Sequence, residues 1–108
     1  MFLYNETIGI DKDIEQQWLQ WMQHNHMPAI MRLDIFRDAR LYKILHNTDD
    51  NTVSYSAQYF ADSITDVQRY LDQHEPALTQ HLRNAFPDRH VVFRTLLEEQ
   101  TVEKAKSP

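Results

Sequence analysis

Apolar and polar positions alternate from Phe2 to Ile10, and the alternation stops at Gly9-Ile10-Asp11. A period of two predicts a strand, after which Asp11 or Asp13 stands where a helix cap is needed. From Ile14 the period changes. Ile14, Trp18, Trp21 and Met22 recur at the steps of one helical face, and His26 extends that face by another four residues. Pro28 disfavours helix at Met27, so the pattern predicts a kink there and a short second helix through Ile30 and Leu33. Phe36 to Leu45 and Val53 to Phe60 read as two strands, joined by the polar turn 46–51 into a hairpin.

The same order then returns. Ser63-Ile64-Thr65-Asp66 resembles a capping box, and Ile64, Val67, Leu71 and His74 mark the inner stripe of the helix it opens. Pro76 restarts a helix at its first position, Leu78, Leu82 and Ala85 continue it, and His90 to Glu98 is the last strand. The two breaks, His26-Met27-Pro28 and His74-Glu75-Pro76, mark a repeat. The resulting order βαββαβ predicts an α+β fold: a ferredoxin-like sandwich with a four-stranded antiparallel sheet, strands in the order 4-1-3-2, and helices on one face. A chain of 108 residues supports one such domain, over 1–100, with 101–108 as a frayed polar tail.

Parity along the numbering divides the sheet into faces. Odd positions, among them Leu3, Leu41, Val53, Val91 and Phe93, form an apolar set suited to packing under the helices. Even positions carry Tyr4, Ile8, Ile10, Tyr42, Phe60 and Val92, interleaved with Glu6, Arg40, Gln58 and Arg94. A face that apolar is uncommon in water, which predicts a second copy of the chain packed over it.

Composition narrows the chemistry. With 42% hydrophobic and 25% charged residues the chain reads as globular, and a net charge of −5 with scattered basic residues argues against a nucleic-acid partner. The last strand also lacks the aromatic spacing of an RNA-stacking platform. One glycine excludes a glycine-rich phosphate cradle, and the absence of cysteine excludes disulfides, thiolate metal sites and Cys nucleophiles. No run approaches the roughly 20 apolar residues of a membrane span, and the amino terminus shows no leader pattern, so the expectation is a cytoplasmic protein without a membrane partner.

Six histidines invite an acid–base or metal reading. His24-X-His26 has no supporting ligand at a helical interval, so neither a metal nor a cofactor is expected. His26 and His81 lie on or beside apolar stripes, where an imidazole either completes the core or lines a pocket. His81 is the first candidate for a functional histidine, because the matching position of the first half is Leu33; His26 is the second. Trp18, Trp21, Met22, Tyr55 and Tyr59 would wall a small-molecule pocket between helices and sheet, or simply pack as core. Glu6, Arg40, Gln58 and Arg94, placed together on the even face, would hold an anion by forked guanidinium bonds or form a polar layer inside a dimer interface.

Three segments carry a resemblance along nearly the whole chain: Trp18-Leu19-Gln20-Trp21-Met22 with His26-Met27-Pro28, Val53-Ser54-Tyr55-Ser56-Ala57-Gln58-Tyr59, and Val92-Phe93-Arg94-Thr95-Leu96-Leu97-Glu98. Together they resemble an uncharacterised bacterial family of about this length, a domain of unknown function with no residue roles to transfer. The domain is also similar to the dimeric α+β barrel group, in which two ferredoxin-like sheets pack face to face. That group spans cofactor-free monooxygenases, haem-degrading enzymes, lactone isomerases and non-enzymatic regulators. The leading reading is a small-molecule-binding or regulatory homodimer of unknown ligand, with its pocket between helices and sheet. The alternatives are a cofactor-independent monooxygenase- or isomerase-like enzyme using a pocket histidine, and a structural protein–protein interaction module.

Overall fold

The computed structural model of the protein describes residues 1–46 and 49–103. Four strands, β1 (Phe2–Asp11), β2 (Asp38–Ile44), β3 (Thr52–Ala61) and β4 (His90–Glu98), form one antiparallel sheet in the order β2-β3-β1-β4. This is the predicted ferredoxin-like arrangement. Between β1 and β2 run a 3₁₀ turn (Lys12–Ile14), α1 (Glu15–Trp21), a π-helical turn (Met22–His26) and α2 (Met27–Met31); α3 (Ile64–Gln73) and α4 (Glu75–Ala85) join β3 to β4. Among the described residues no helix is long and apolar enough to cross a membrane. Thr101, Val102 and Glu103 are exposed and carry no regular element. The rest of the expected tail, and Asn47 and Thr48 of the expected turn, lie outside the described residues.

The two His-X-Pro steps resolve differently. In the first half the helical path continues, because the N–H of Met27 reaches back five residues to the carbonyl of Met22. This widened turn absorbs one extra residue ahead of Pro28, whose ring and missing N–H an α-helical interior does not accommodate. In the second half the path does break: His74 leaves helical geometry at φ −124°, and α4 restarts with Pro76 in its first turn. Ser63 caps α3 as expected, its hydroxyl accepting the Asp66 N–H at 3.2 Å. Asp11 and Asp13 do not cap. Both carboxylates instead hold the guanidinium of Arg89, just ahead of β4.

Strand register corrects the assignment of faces. Tyr4 lies opposite Tyr59 and Leu96, Glu6 opposite Ala57 and Arg94, and Ile8 opposite Tyr55 and Val92. Residues directly opposite one another share a face, so even positions of β1 and β4 join odd positions of β2 and β3. Parity of numbering does not survive a connection of arbitrary length. The helix-covered face therefore carries Tyr4, Ile8, Ile10, Tyr55, Ala57 and Tyr59, all at most 4% exposed. On the open face the centre is polar. Ser56 Oγ donates to Asn5 Oδ1 at 2.5 Å, Gln58 Nε2 to Ser56 Oγ at 3.2 Å, and Asn5 Nδ2 to Thr7 Oγ1 at 3.1 Å. Apolar side chains flank this band, with Tyr42, Val91, Phe93 and Leu97 45 to 67% exposed.

Candidate functional site

Four of the five expected pocket residues are packed core. Trp18 and Met22 are fully buried, the Trp18 ring lies 4.9 Å from that of Tyr55, and Tyr59 packs on Phe36 at 5.4 Å. Trp21 stands apart and draws the two candidate histidines together. Its indole stacks on His26 at 5.0 Å, tilts against His81 at 5.3 Å and meets Phe86 edge-on at 5.5 Å. His26 is 2% exposed, and burial, reinforced by the neighbouring His81, pushes its imidazole down to about 4. It is a neutral ring whose Nδ1 has no hydrogen-bond partner. His81 is exposed.

The expected polar layer divides between the two sides of the sheet. Arg40 and Gln58 are opposite one another on the open face, where the Arg40 guanidinium pairs with Asp38 at 3.2 Å and lies 5.1 Å from the Phe60 ring centroid. Glu6 and Arg94 are opposite one another on the covered face. The two pairs do not share a layer, because β1 and β4 present their even positions to the helices whereas β2 and β3 present their odd ones.

Around Glu6 the structure assembles a cluster that the linear pattern did not group. The side chain, central on β1, is buried beneath the helices. Arg94 reaches across from β4. Its Nε donates to Tyr4 Oη at 3.1 Å and lies 3.7 Å from Glu6; its Nη2 is 2.7 Å from Glu75 Oε1 and donates to Thr79 Oγ1 at 3.0 Å. Glu75, in the first turn of α4, is thus the closer partner of the guanidinium. Burial raises the Glu6 carboxyl to about 7; the Arg94 charge opposes this, and Glu75 adds to it. Burial, with Glu6 nearby, holds the phenols of Tyr4, Tyr59 and Tyr70 above the usual tyrosine range, so they stay neutral. Among the described residues, Tyr59 Oη is one of the buried side-chain atoms without a hydrogen-bond partner, with Trp18 Nε1 and His26 Nδ1.

Arg94 also opens outward. A polar cleft of about 110 Å³ between α4 and β4 is lined by Thr79, Arg83, His90, Val92 and Arg94. His90 Nδ1 donates to the Phe86 carbonyl at 3.0 Å, which fixes the ring. The Thr79 hydroxyl donates to Glu75, so it is the Arg83 and Arg94 guanidiniums that make this cleft chemically suited to an anion. Sequence signals for it existed: an acid inside the buried run Tyr4, Glu6, Ile8, Ile10, and the Glu75–Thr79 step of four on α4. No group of three or more His, Asp or Glu among the described residues is placed to hold a metal ion.

The model of a domain of unknown function (DUF4286) matches residues 1–100. The chain belongs to this family. No curated protein matches the DUF4286 chain in sequence. In fold it is similar to a candidate antibiotic biosynthesis monooxygenase from Deinococcus radiodurans, with 14% identity, a TM-score of 0.69, and coverage of 99% of this chain and 100% of that one. It is similar to a variant of SnoaB, a cofactor-independent oxygenase from Streptomyces nogalater, at 13% identity and TM-score 0.61 over 94% and 95% of the two chains. It is also similar to a de novo designed protein, Foldit4, at 6% identity and TM-score 0.58 over 92% and 98%. An oxygenase, a candidate monooxygenase and an invented sequence share this fold, so the likeness speaks for the fold and leaves the activity to the side chains.

Proposed function

We propose that this protein is a cytoplasmic homodimer that binds a small molecule by its anionic group, in the cleft between α4 and β4. The observation that carries the reading is the cleft itself: Arg83, His90, Thr79 and Arg94 converge on about 110 Å³ of space. That volume is below the roughly 300–1,000 Å³ of pockets that enclose drug-sized ligands. It fits one charged group, with the remainder of the ligand outside. Self-association is supported by the exposed apolar margins of the open sheet face, which a second copy would cover.

Glu6 favours a second reading, an enzyme that moves a proton without a cofactor. A covered carboxyl raised to about 7 is poised as an acid–base group near neutral pH. SnoaB, a fold neighbour, is a cofactor-independent oxygenase. In that reading Glu6 takes the role first sought in His26 or His81, because it contacts Arg94, which lines the cleft, and neither histidine does.

Amide NMR titration with a panel of small carboxylic acids and phosphate esters tests the binding reading. The expected shifts concentrate at Thr79, Arg83, His90 and Val92 and vanish in Arg94→Met. Shifts elsewhere, or none across the panel, would return the protein to the interaction-module reading. Any acid that binds is then followed for turnover, and a reaction abolished by Glu6→Gln would establish the enzyme.

A further inference from the structure

Arg94 faces two ways. Inward, its Nε lies 3.7 Å from Glu6 and donates to Tyr4 Oη; toward α4, its Nη2 meets Glu75 at 2.7 Å and Thr79 at 3.0 Å. The same side chain lines the cleft. We propose that anion binding in this cleft is coupled to uptake of a proton by Glu6, with Arg94 as the group that ligand and carboxyl share. The inference rests on the reading of the cleft as an anion site.

Charge counting gives the direction. Glu6 and Glu75 already face one guanidinium, and an incoming anion adds a third negative charge around it. Arg83 at the cleft adds a second cation, but Arg94 alone touches both carboxylates, so three anions around two guanidiniums leave a negative excess, which relaxes by neutralising whichever acid is held most weakly. That acid is Glu6. Its side chain is 5% exposed against 18% for Glu75, and its contact to Arg94 is longer by about an ångström. The other groups facing Glu6 do not take up the change. Tyr4 from β1, Tyr59 from β3 and Tyr70 from α3 are phenols that stay protonated, and Glu75 from α4 keeps the shorter ion pair. Tyr59 Oη, buried without a partner, leaves the cluster polar capacity for a carboxyl that changes state. With its midpoint already raised to about 7 by burial, Glu6 needs only a modest added push to hold its proton at neutral pH.

Acetate is a suitable probe, because its own charge is constant above about pH 6. Carboxyl-carbon NMR would follow the Glu6 midpoint in the wild-type protein with and without saturating acetate, while the amide shifts of Thr79 and Val92 report acetate affinity. The expected result is an upward move of the Glu6 midpoint. Acetate affinity should fall by up to about tenfold per pH unit above it. In Glu6→Gln, which mimics the protonated acid, affinity should be independent of pH. Acetate binding in the cleft with an unmoved Glu6 midpoint would overturn the coupling and leave the anion site standing. No saturable shift at any pH would remove the anion site and the coupling together. A pH dependence that survives Glu6→Gln and disappears in His90→Gln would assign the proton to His90 and overturn the proposal. The wild-type midpoint needs no variant to fold.

Discussion

A buried acid and a buried base titrate a fold in opposite directions, and this protein holds one of each. Glu6 is raised to about 7, so between its ordinary value of 4.5 and 7 the folded state keeps a proton that the unfolded chain has released. Its contribution to stability is therefore full at low pH and is lost as pH rises through about 7. His26 is lowered from 6.5 to about 4, so the unfolded chain binds the extra proton, and stability present above 6.5 is lost as pH falls through about 4. Where the windows overlap, the slopes offset one another. Urea denaturation is expected to show Glu6→Gln gaining on the wild type as pH rises from about 5 to about 7, by up to about 1.4 kcal/mol per pH unit, and no further above it. His26→Leu should flatten the acid limb. Equal pH profiles for all three proteins would show that neither group is titrating differently in the folded state. Two aspartates make a separate expectation: Asp34 and Asp88 each hold φ at 58°, a left-handed conformation that costs a side chain about 1–2 kcal/mol relative to glycine. Asp34 is exposed, and Asp34→Gly should raise stability by on the order of 1 kcal/mol, read from the midpoint of thermal unfolding. Sequence marked Glu6 on a strand face and His26 on an apolar stripe, but how deeply each is buried, and the left-handed backbone at Asp34 and Asp88, are set by tertiary context.

At the scale of elements, the indoles of α1 separate two kinds of helix face. Trp18 is fully buried against Tyr55, whereas Trp21 is half-buried at the edge, between His26, His81 and Phe86. Trp18→Ala removes a filled core volume and should cost about 3–5 kcal/mol in chemical denaturation. Trp21→Ala should cost less than half of that, since part of its surface is already wet. Comparable losses would mean that Trp21 is as deeply packed as Trp18. The periodicity that placed both on one stripe was legible from Ile14 onward, and so were all four strands, because alternation and helical spacing are local properties. The extra residue in the turn Met22–His26 was not. A π turn keeps the same apolar spacing to within one position, and only the contacts of Met27 decide whether Pro28 kinks the chain or is carried on by a wider turn.

For the whole molecule, the decisive information was register. Alternation shows that each strand has two faces, but which face of β1 joins which face of β3 depends on connection lengths and pairing, and a shift by one residue exchanges them. That exchange moved Tyr4, Glu6, Ile8, Val92 and Arg94 under the helices and brought Leu3, Val91, Phe93 and Leu97 to the open side. It thereby built the candidate site and remade the surface on which a partner copy would sit. Apolar area now lies at the margins of that surface, around a hydrogen-bonded polar band. The proposed face-to-face packing would cover Phe93, 67% exposed, and Val91, 59% exposed, and would let the two polar bands bond to one another. Sedimentation at micromolar concentration should then give twice the protomer mass of 13.0 kDa. Phe93→Asp should shift the protein to monomer, since it puts a charge into the apolar margin, with helical circular dichroism unchanged because the side chain lies on the face away from the helices. Val102→Asp, at a residue 87% exposed beyond β4, is the control and should leave the mass alone. A wild-type protein that sediments at 13.0 kDa would show the open face to be free, and the apolar margins would then have to serve a different partner.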